Sequence, residues 1–400
     1  MVGGGAITSL GSDLESSIGG LFANKSGIVR MPDWTEFAGL RCHVAAPVQG
    51  FDGRFIPRKT RRTMSKMSQM LCQAAAEALE QAGLSHQELN ERRVMLIVGS
   101  TTGSTDSLET SFLKAYTNNS TLGQNSTTMF MTMNHSVSLN LASFLGFKGR
   151  VLSPASACST GAEAMMLGAE MIEAGVCDIA VCGGADELHL ATAIAFDTVE
   201  AASSNFNENP EQACRPFDTR RDGVVVSEGA AVAVLESASS RENRGATHLG
   251  TLCGWAQSCD GGSVAHSSTG SMADNMRAAL KKANLSPEDI DYVNAHATST
   301  SIGDQFEAQA TFDVLGPVAV SSLKGHMGHS FAPCGTFEAL ATLYMLRVGR
   351  FLPTRNLEMP DSSLPSLQYL IDETKLDAEY ALSNNFAMGG MNVSLVFRKT

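Results

Sequence analysis

Several short apolar runs in this chain are continuous instead of alternating with polar residues, and this feature constrains the fold most strongly. The runs are VMLIVGS (94–100), DIAVCGG (178–184), AAVAVLE (230–236) and VSLVF (393–397). Continuous runs are typical of strands that are covered on both faces of a sheet. Patterns of helical spacing lie between them, at 61–85 with a glycine stop at Gly83 and at 160–175. Strands that alternate with helices predict an α/β fold.

Two halves of the chain resemble each other. In each half a turn of small residues precedes an apolar helix, SACSTGAEAMMLGAEMI in the first half and GHSFAPCGTFEALATLYML in the second. The polar segment 236–250 would connect the halves. This pattern hints at internal duplication, and a chain of 400 residues is long enough for two such units. We predict one half at 1–240 and the other at 241–400.

Composition and charge argue against several classes of protein. The formal net charge of −12 disfavours a nucleic-acid-binding surface, which needs a basic footprint. The nine cysteines are odd in number and form no CxxC motif, so neither a disulfide framework nor a four-cysteine zinc site is expected. A reducing cytoplasm fits this cysteine usage best. The N-terminus has no basic residue before Lys25 and no apolar core of a secretory signal.

The segment 115–147 contains no Asp, Glu, Lys or Arg. A membrane span needs about 20 mainly apolar residues, whereas this segment is rich in Asn, Ser and Thr. No membrane span is therefore predicted. We expect the segment to be buried, either in the core or in a subunit interface.

Cys158 is the first candidate for catalysis. It follows the strand-like RVLS and begins a helix, where unpaired N–H groups favour a thiolate, and its small neighbours would let a substrate approach. The alternative is a buried apolar cysteine, which we expect for the other eight. His296 and His329 are histidines that a nucleophilic cysteine could use. The HxxH pair of His326 and His329 also permits a metal site, but no third ligand stands at motif spacing.

Five blocks carry a resemblance to a known family. They are SACSTG (156–161), CRPFDTRRDGVVVSEGAA (214–231), NAHATSTSIGDQFE (294–307), SLKGHMGHS (322–330) and SNNFAMGGMN (383–392). Together and in this order they resemble the β-ketoacyl-acyl-carrier-protein synthases of the thiolase superfamily, and most closely the elongating type near synthase I. The resemblance implies a thiolase-like fold, in which two pseudo-duplicated α/β halves form an α-β-α-β-α arrangement of layers.

The resemblance also assigns roles to individual residues. Cys158 resembles the nucleophile that accepts the acyl group, His296 and His329 resemble the pair that drives malonyl decarboxylation, and Lys324 resembles the active-site lysine. The other matches are supporting acids, hydroxyls that hold the pantetheine arm, and the loop and gate that close the site: Asp304, Glu307, Glu338, Thr298, Thr300, Asn384, Phe386, Met388, Gly389 and Gly390. The backbone N–H groups of Cys158 and Met388 would hold the acyl oxyanion.

This resemblance implies decarboxylative Claisen condensation by a two-step route. An acyl thioester forms on Cys158, and the enolate of malonyl-carrier protein then attacks it. The histidine pair would stabilise that enolate through two N–H donors, and it implies a carrier-bound primer. The partner would be an acyl carrier protein, whose phosphopantetheine arm takes part; no metal or redox cofactor is implied. We expect a homodimer, and a heterodimer with a chain-length factor is the alternative.

A basic segment at 54–66 is the predicted docking surface for the carrier protein. It contains Arg54, Arg58, Lys59, Arg61, Arg62 and Lys66 with no acid among them. Carrier proteins present acidic helices, so local attraction can overcome the unfavourable overall charge. The alternative is a solvated helix face.

The chain departs from the family at several positions. These are Ala297 in place of Gly, Ser301 in place of Pro, Met388 and Val224 in place of Phe, and Phe331 in place of a smaller residue. Methionine is slender and flexible, so the gate should be roomier and accept long, unsaturated or aryl-bearing acyl chains. Cys334 is interpreted as a packing residue. Only Met1 and Val2 precede the first glycines, so either the first strand is short or the true start lies upstream.

Two other functions remain to be weighed. The stretch VGGGAITSLG could be a dinucleotide-binding loop, but it lacks the GxGxxG spacing and an evident preceding strand. A non-catalytic partner of a ketosynthase, such as a chain-length factor, is the second alternative. Such partners typically lose the cysteine, and this chain retains Cys158. The product of a catalytic chain could enter fatty acid, polyketide or aryl polyene biosynthesis.

Overall fold

The computed structural model describes residues 1–400, with fifteen strands and fourteen helices. The strands β1 to β15 are, in chain order, Gly3–Ile7, Val29–Arg30, Val44–Ala45, Val94–Gly99, Arg150–Leu152, Ile179–Asp186, Gly229–Glu236, Thr251–Cys259, Tyr292–Asn294, Ala319–Ser321, Arg350–Phe351, Gln368–Tyr369, Thr374–Lys375, Tyr380–Ala387 and Met391–Arg398. The four apolar runs that predicted strands form β4, β6, β7 and β15.

The helices α1 to α14 are, in chain order, Leu14–Phe22, Arg58–Arg61, Lys66–Gln81, His86–Glu91, Thr105–Thr117, Thr128–Thr132, Ser136–Leu145, Thr160–Glu173, Leu190–Thr198, Ala238–Arg244, Thr269–Ala283, Ser301–Leu315, Lys324–Met327 and Cys334–Val348. Short 3₁₀ turns lie at Pro32–Glu36, Ala157–Ser159, Pro210–Gln212, Pro287–Asp289 and Met388–Gly390. No helix is long and apolar enough to cross a membrane.

The two main sheets repeat one topology. The first has the strand order β1-β7-β6-β4-β5, in which the β1–β7 and β7–β6 pairs are antiparallel and the β6–β4 and β4–β5 pairs are parallel. The second follows the same pattern in β8-β15-β14-β9-β10 and adds β12 beyond β10. Each half thus begins with a strand that pairs with its own last strand. This repeat is the structural form of the duplication that the sequence suggested.

Helices separate and cover the two sheets. Helices α8 and α14 contact both sheets and form the central layer, α3 and α7 pack on the outside of the first sheet, and α11 packs on the outside of the second. The central helices approach closely because glycines lie at their contact. A Cβ atom at Gly161 would lie only 2.5 Å from the carbonyl oxygen of Ala332, and one at Gly335 would lie only 2.9 Å from Cβ of Ala162. The result is five layers, α-β-α-β-α, as predicted.

The glycine run at the N-terminus is a strand. Residues Gly3–Ile7 pair with β7 over five positions. The carbonyl groups of Ala74 and Ala78 in α3 lie where the Cβ atoms of Gly5 and Gly3 would stand, so the glycines let the helix pack directly against the strand backbone. The first strand therefore consists of the glycines and the two residues after them. The dinucleotide-loop alternative is wrong, because the segment forms a buried strand.

Three other segments differ from their predicted structures. The helix expected over 61–85 begins at Lys66, where Ser65 caps its N-terminus, and the polar connection at 236–250 contains α10. In the segment 115–147 the inner face of α7 and Phe147 are buried. Core burial is therefore wrong for part of this segment, whereas burial in a subunit interface stays a prediction. The exposed large apolar side chains are Tyr116, Leu122, Met129, Phe130 and Leu139.

Candidate active site

The nucleophile candidate Cys158 lies in a tight turn between β5 and α8. Ala157 has φ of +50°, and the Thr160 hydroxyl holds the turn by donating to the Ala157 carbonyl at 2.8 Å and accepting from the Ser156 N–H at 2.9 Å. The Cys158 side chain is buried. Its carbonyl accepts from the Cys334 thiol at 3.4 Å, at the start of the duplicated helix α14.

Burial controls the protonation of this thiol. It raises the pKa of Cys158 to about 12, although the charge of Lys324 and the backbone N–H groups of Cys158 and Met388 act in the opposite direction. The expected lowering of the pKa at a helix N-terminus is therefore outweighed by desolvation. The two N–H groups that act on the sulfur are those that the resemblance assigned to the acyl oxyanion.

His296 and His329 lie directly beside the sulfur. One ring nitrogen of each histidine and the Cys158 sulfur all lie within 4.8 Å of one another. The two imidazole rings meet edge to face, with centroids 5.2 Å apart at 86°. Burial lowers the pKa of both histidines well below the usual value, and the nearby Lys324 lowers it further. Both rings are therefore neutral at neutral pH and can offer N–H donors without charge.

A buried ion pair stands behind the histidines. The ammonium of Lys324 donates to Glu338 at 2.5 Å, and the other carboxylate oxygen of Glu338 accepts from Asn385 at 3.0 Å. Both charged side chains are completely buried. Burial is the largest single influence and disfavours the ammonium, but the charge and hydrogen bond of Glu338, together with the nearby Cys334 and Glu307, outweigh it and raise the pKa of Lys324. The pair provides a fixed positive charge close to the reacting atoms.

Two further acids shape the backbone around His296. Glu307 accepts from the N–H groups of His296 and Ala297 at 2.7 and 2.6 Å, and burial raises its pKa to about 8. Asp304 accepts from Ser299 at 3.0 Å and from Phe217 at 2.9 Å, and burial raises its pKa to about 6. These carboxyls hold the loop that carries His296, and Glu307 also lines the cleft beside it.

A cleft of about 400 Å³ leads to the nucleophile. Cys158, His296 and His329 stand at its inner end. The hydroxyls of Thr298 and Thr300, 3.3 Å apart, belong to one of its walls. A larger cavity of about 700 Å³ lies between α1, α3 and α14, and it contains none of the predicted site residues.

The gate residues lie where β14 turns into β15. Phe386 is buried and Met388 is 45% exposed, and both line the cleft together with the buried Val224. Gly389 and Gly390 have φ of +83° and +76°, a conformation that suits glycine and permits this turn. The predicted gate positions therefore meet at the cleft.

The prediction for Asn384 is wrong. It lies within strand β14, not in the loop, and its amide contacts the Ser394 hydroxyl at 2.8 Å and the Met276 sulfur at 3.5 Å. The neighbouring Asn385 faces the site and binds Glu338, because side chains alternate across a strand. Parity along the strand alone did not identify Asn385, because Phe386 and Ala387 both line the cleft.

Four of the six cations in the basic segment are exposed. Arg54, Arg58, Lys59 and Arg62 are exposed, whereas Lys66 donates to the buried Glu228 at 2.5 Å. Glu228 also accepts from the backbone of Val48 and Leu188. Lys66 is therefore the partner of a buried acid, and its role in the docking surface stays a prediction.

Three residues have the chemistry and proximity to hold a metal ion, namely Cys158, His296 and His329. They are ligand types that Zn²⁺ accepts, but bonds of about 2.0 to 2.3 Å would require the ligand atoms to move closer together than 4.8 Å. The ammonium of Lys324 nearby opposes a cation. His326 lies outside this group, so His326 and His329 do not form a joint metal site.

This geometry defines an acyl-transfer site, in which a cysteine, two neutral histidines and a lysine meet at the end of a cleft. Comparison with known families agrees. The beta-ketoacyl synthase N-terminal domain matches residues 1–241, and the corresponding C-terminal domain matches residues 249–358. The chain belongs to the β-ketoacyl synthase family, within the thiolase superfamily.

Individual relatives match over the whole chain. The 3-oxoacyl-[acyl-carrier-protein] synthase 1 of Haemophilus influenzae is 33% identical and covers 100% of this chain and 98% of its own. The crystal structure of a beta-ketoacyl synthase from Burkholderia phymatum has a TM-score of 0.96 at 37% identity, covering 100% of this chain and 98% of its own. The ishigamide ketosynthase/chain length factor has a TM-score of 0.91 at 26% identity, with the same coverage. The predicted family, fold class and acyltransferase class are confirmed.

Proposed function

We propose that this protein is a β-ketoacyl-acyl-carrier-protein synthase with Cys158 as its nucleophile. The observation that carries the proposal is that the Cys158 sulfur and one ring nitrogen each of His296 and His329 lie within 4.8 Å of one another. The family and its named relatives support the reaction class. The retained cysteine and complete histidine pair favour catalysis over the role of a non-catalytic chain-length factor.

In the first half-reaction the acyl group moves to the enzyme. The Cys158 sulfur attacks the thioester carbonyl of an acyl carrier protein, the carbon–sulfur bond to pantetheine breaks, and the pantetheine thiol takes a proton. Burial keeps Cys158 protonated at neutral pH, so its proton must leave as the sulfur attacks. The neutral imidazole of His296 is a nearby group that can receive it. The backbone N–H groups of Cys158 and Met388 would stabilise the oxyanion.

In the second half-reaction malonyl-carrier protein loses carbon dioxide. The electron pair of the breaking carbon–carbon bond forms an enolate, whose oxygen would accept N–H bonds from His296 and His329. The enolate carbon then attacks the thioester on Cys158, the carbon–sulfur bond breaks, and the sulfur takes up a proton from the solvent. The fixed charge of Lys324 also favours the developing anion.

The carrier protein would bind on the exposed basic residues and extend its arm into the cleft. Thr298 and Thr300 would hold the pantetheine, and Arg54, Arg58, Lys59 and Arg62 would meet the acidic carrier. The exposure of these four cations supports this proposal. In the proposed reaction the acyl and malonyl groups are carried on the phosphopantetheine arm of the carrier protein.

We also propose that the protein is a homodimer that pairs through β5. This strand lies at the edge of the first sheet, and an unpaired edge with apolar side chains invites another strand. Val151 and Leu152 are 39% and 37% exposed. Nearby segments 105–130 add further exposed apolar side chains: Leu108, Phe112, Leu113, Tyr116, Leu122, Met129 and Phe130. Sedimentation should give twice the mass of one chain; a monomer would favour the heterodimer alternative.

The cytoplasmic localisation and the biosynthetic pathway are also proposals. All nine cysteines are free, which supports a reducing cytoplasm. The relatives named above include a fatty-acid-type synthase and a ketosynthase with a chain-length factor, so fatty acid, polyketide and aryl polyene pathways remain to be distinguished by acyl-carrier substrates.

The test is reconstituted condensation with acyl- and malonyl-carrier protein. Wild type should form β-ketoacyl-carrier protein and release carbon dioxide. Cys158→Ala should form no condensation product, and His329→Ala should lose decarboxylation. Normal condensation by Cys158→Ala would refute the proposed nucleophile. Wild type that is inert with every carrier-bound primer would favour the non-catalytic alternative.

A further inference from the structure

The imidazole of His329 has no hydrogen-bonded partner in the chain. Both ring nitrogens are buried and unpaired. Its backbone is fixed, since the N–H donates to Val225 at 2.8 Å and the carbonyl accepts from Ser227 at 3.0 Å. Functional histidines are commonly oriented by a hydrogen bond at the second ring nitrogen. Because that bond is missing, another contact must orient this ring.

Aromatic contacts take the place of the hydrogen bond. The ring of Phe331 lies 4.7 Å from the His329 ring, at an interplanar angle of 44°. The His296 ring meets it from another direction at 5.2 Å. A contact with a broad, rigid ring restricts rotation of the imidazole, whereas a smaller aliphatic side chain would leave it more freedom.

The backbone around Phe331 enforces this contact. Phe331 has φ of +61°, which is uncommon for a bulky residue and persists where surrounding structure requires it. The next residue, Ala332, donates its N–H to the buried Asp186 at 2.9 Å and accepts from the N–H of Gly161 at 2.9 Å. The Phe331 ring also lies 5.7 Å from the ring of Phe196, which lines the cleft.

We propose that Phe331 is a positioning residue that orients the His329 imidazole through aromatic contact, so that its N–H meets the enolate formed by decarboxylation. This inference rests on the role proposed for His329. It assigns a function to one of the positions at which this chain departs from its family. Acylation of Cys158 forms no enolate and does not need this orientation. Substitution of Phe331 should therefore slow decarboxylation more than acylation.

The inference also predicts a change in pH dependence. The titratable groups that face His329 are Cys158, His296 and Lys324, whose charge is paired with Glu338. Burial and the charge of Lys324 hold the pKa of His329 well below its usual value. A smaller residue at 331 would admit water and raise the pKa of His329. As the solution is acidified, the rate of decarboxylation should therefore begin to fall at a higher pH in the variant than in wild type.

The experiment compares Phe331→Leu, Phe331→Tyr and a matched control, Phe351→Leu. Phe351 is a buried phenylalanine whose ring lies 4.7 Å from Tyr292, away from the cleft. Acylation by acyl-carrier protein and decarboxylation of malonyl-carrier protein are measured separately across pH. The control reports the effect of removing a buried ring, and thermal melting establishes that each variant is folded.

For Phe331→Leu we expect kcat of decarboxylation to fall about tenfold, with KM and the acylation rate within about twofold of wild type. The acidic side of its pH–rate profile for decarboxylation should move to higher pH. Phe331→Tyr should restore kcat, and Phe351→Leu should retain both rates. Unchanged decarboxylation and pH profile in folded Phe331→Leu, or equal loss of both half-reactions, would overturn the positioning role. Wild type without acylation would instead refute the proposed function.

Discussion

The buried pair of Lys324 and Glu338 offers a sharp test of the electrostatic account. Substitution Glu338→Gln keeps the shape of the side chain but removes its charge. The ammonium of Lys324 would then remain in a completely buried position, with an amide in place of the carboxylate that now lies 2.5 Å away. Removal of one partner from a buried pair costs about 3 to 5 kcal/mol, because the remaining charge is desolvated without compensation.

The sign of the pH dependence follows from the same argument. In wild type Glu338 raises the pKa of Lys324, so the stabilisation is present at neutral pH and is lost only when pH rises through that elevated value. In Glu338→Gln, burial without the counter-charge should lower the pKa of Lys324 below that of the unfolded chain. The unfolded state then binds more protons, so the free energy of unfolding of the variant should rise with pH.

Urea unfolding at several pH values measures both effects. We expect Glu338→Gln to lose about 3 kcal/mol or more at neutral pH and to recover part of this loss toward pH 10. The double variant Lys324→Met/Glu338→Gln should be more stable than Glu338→Gln, because it carries no buried charge at this pair. The surface control Glu173→Gln breaks a pair whose side chains are 57% and 36% exposed, and should change the free energy of unfolding by less than about 1 kcal/mol. A loss of under about 1 kcal/mol in Glu338→Gln would refute the reasoning.

Three further predictions follow from the cleft, the basic surface and the thiol. The double variant Met388→Phe/Val224→Phe should narrow the range of accepted acyl chains in a primer panel, because rigid rings replace slender side chains, while kcat/KM for short chains stays nearly unchanged. The double variant Arg58→Glu/Arg62→Glu should raise KM for carrier-bound substrates and spare small thioester mimics, because it reverses the charge at the docking surface. The rate of Cys158 alkylation by iodoacetamide should continue to rise up to about pH 10, because burial raises the pKa of this thiol to about 12.

Each of these predictions has a control and a contrary result. Wild type that rejects long and aryl primers, or an unchanged profile in the double variant, would contradict the gate argument. For docking, Arg277→Glu reverses an exposed charge on α11, and equal losses on carrier-bound and small substrates would indicate a fault in folding or catalysis. For the thiol, the exposed Cys259 provides the reference within the same chain. A plateau of Cys158 alkylation near neutral pH would contradict dominant desolvation.

Much of the fold could be predicted because its signals are local. Continuous apolar runs marked β4, β6, β7 and β15, and the two similar turn–helix segments anticipated the duplicated topology. The strand character of the glycine run in β1 could not be predicted, because it depends on a helix distant in sequence. Only the packed structure shows that the backbone of α3 occupies the space of the missing side chains.

The active site was predictable as a set of motifs but not in its contacts. The sequence blocks brought forward Cys158, His296 and His329. They did not distinguish Asn384 from Asn385, although strand alternation determines which amide reaches Glu338. Position in the basic run likewise could not show that Lys66 pairs with the buried Glu228.

The effect of desolvation on the pKa of Cys158 also could not be predicted from the sequence. A helix start predicts a lower thiol pKa, but the magnitude of burial around Cys158 depends on elements from both halves. Trp34, Val226, Phe331 and Ala387 all belong to the apolar cluster that encloses it. The three-dimensional packing therefore reverses the direction expected from local structure.

The most direct test of the central claim is to locate the acyl adduct. Wild type, Cys158→Ala, Cys259→Ala and His329→Ala are incubated with acyl-carrier protein, digested, and mapped by mass spectrometry. The account predicts one acyl group on Cys158 in wild type, Cys259→Ala and His329→Ala, and none in Cys158→Ala. An adduct on another cysteine in wild type, with Cys158 unmodified, would contradict it.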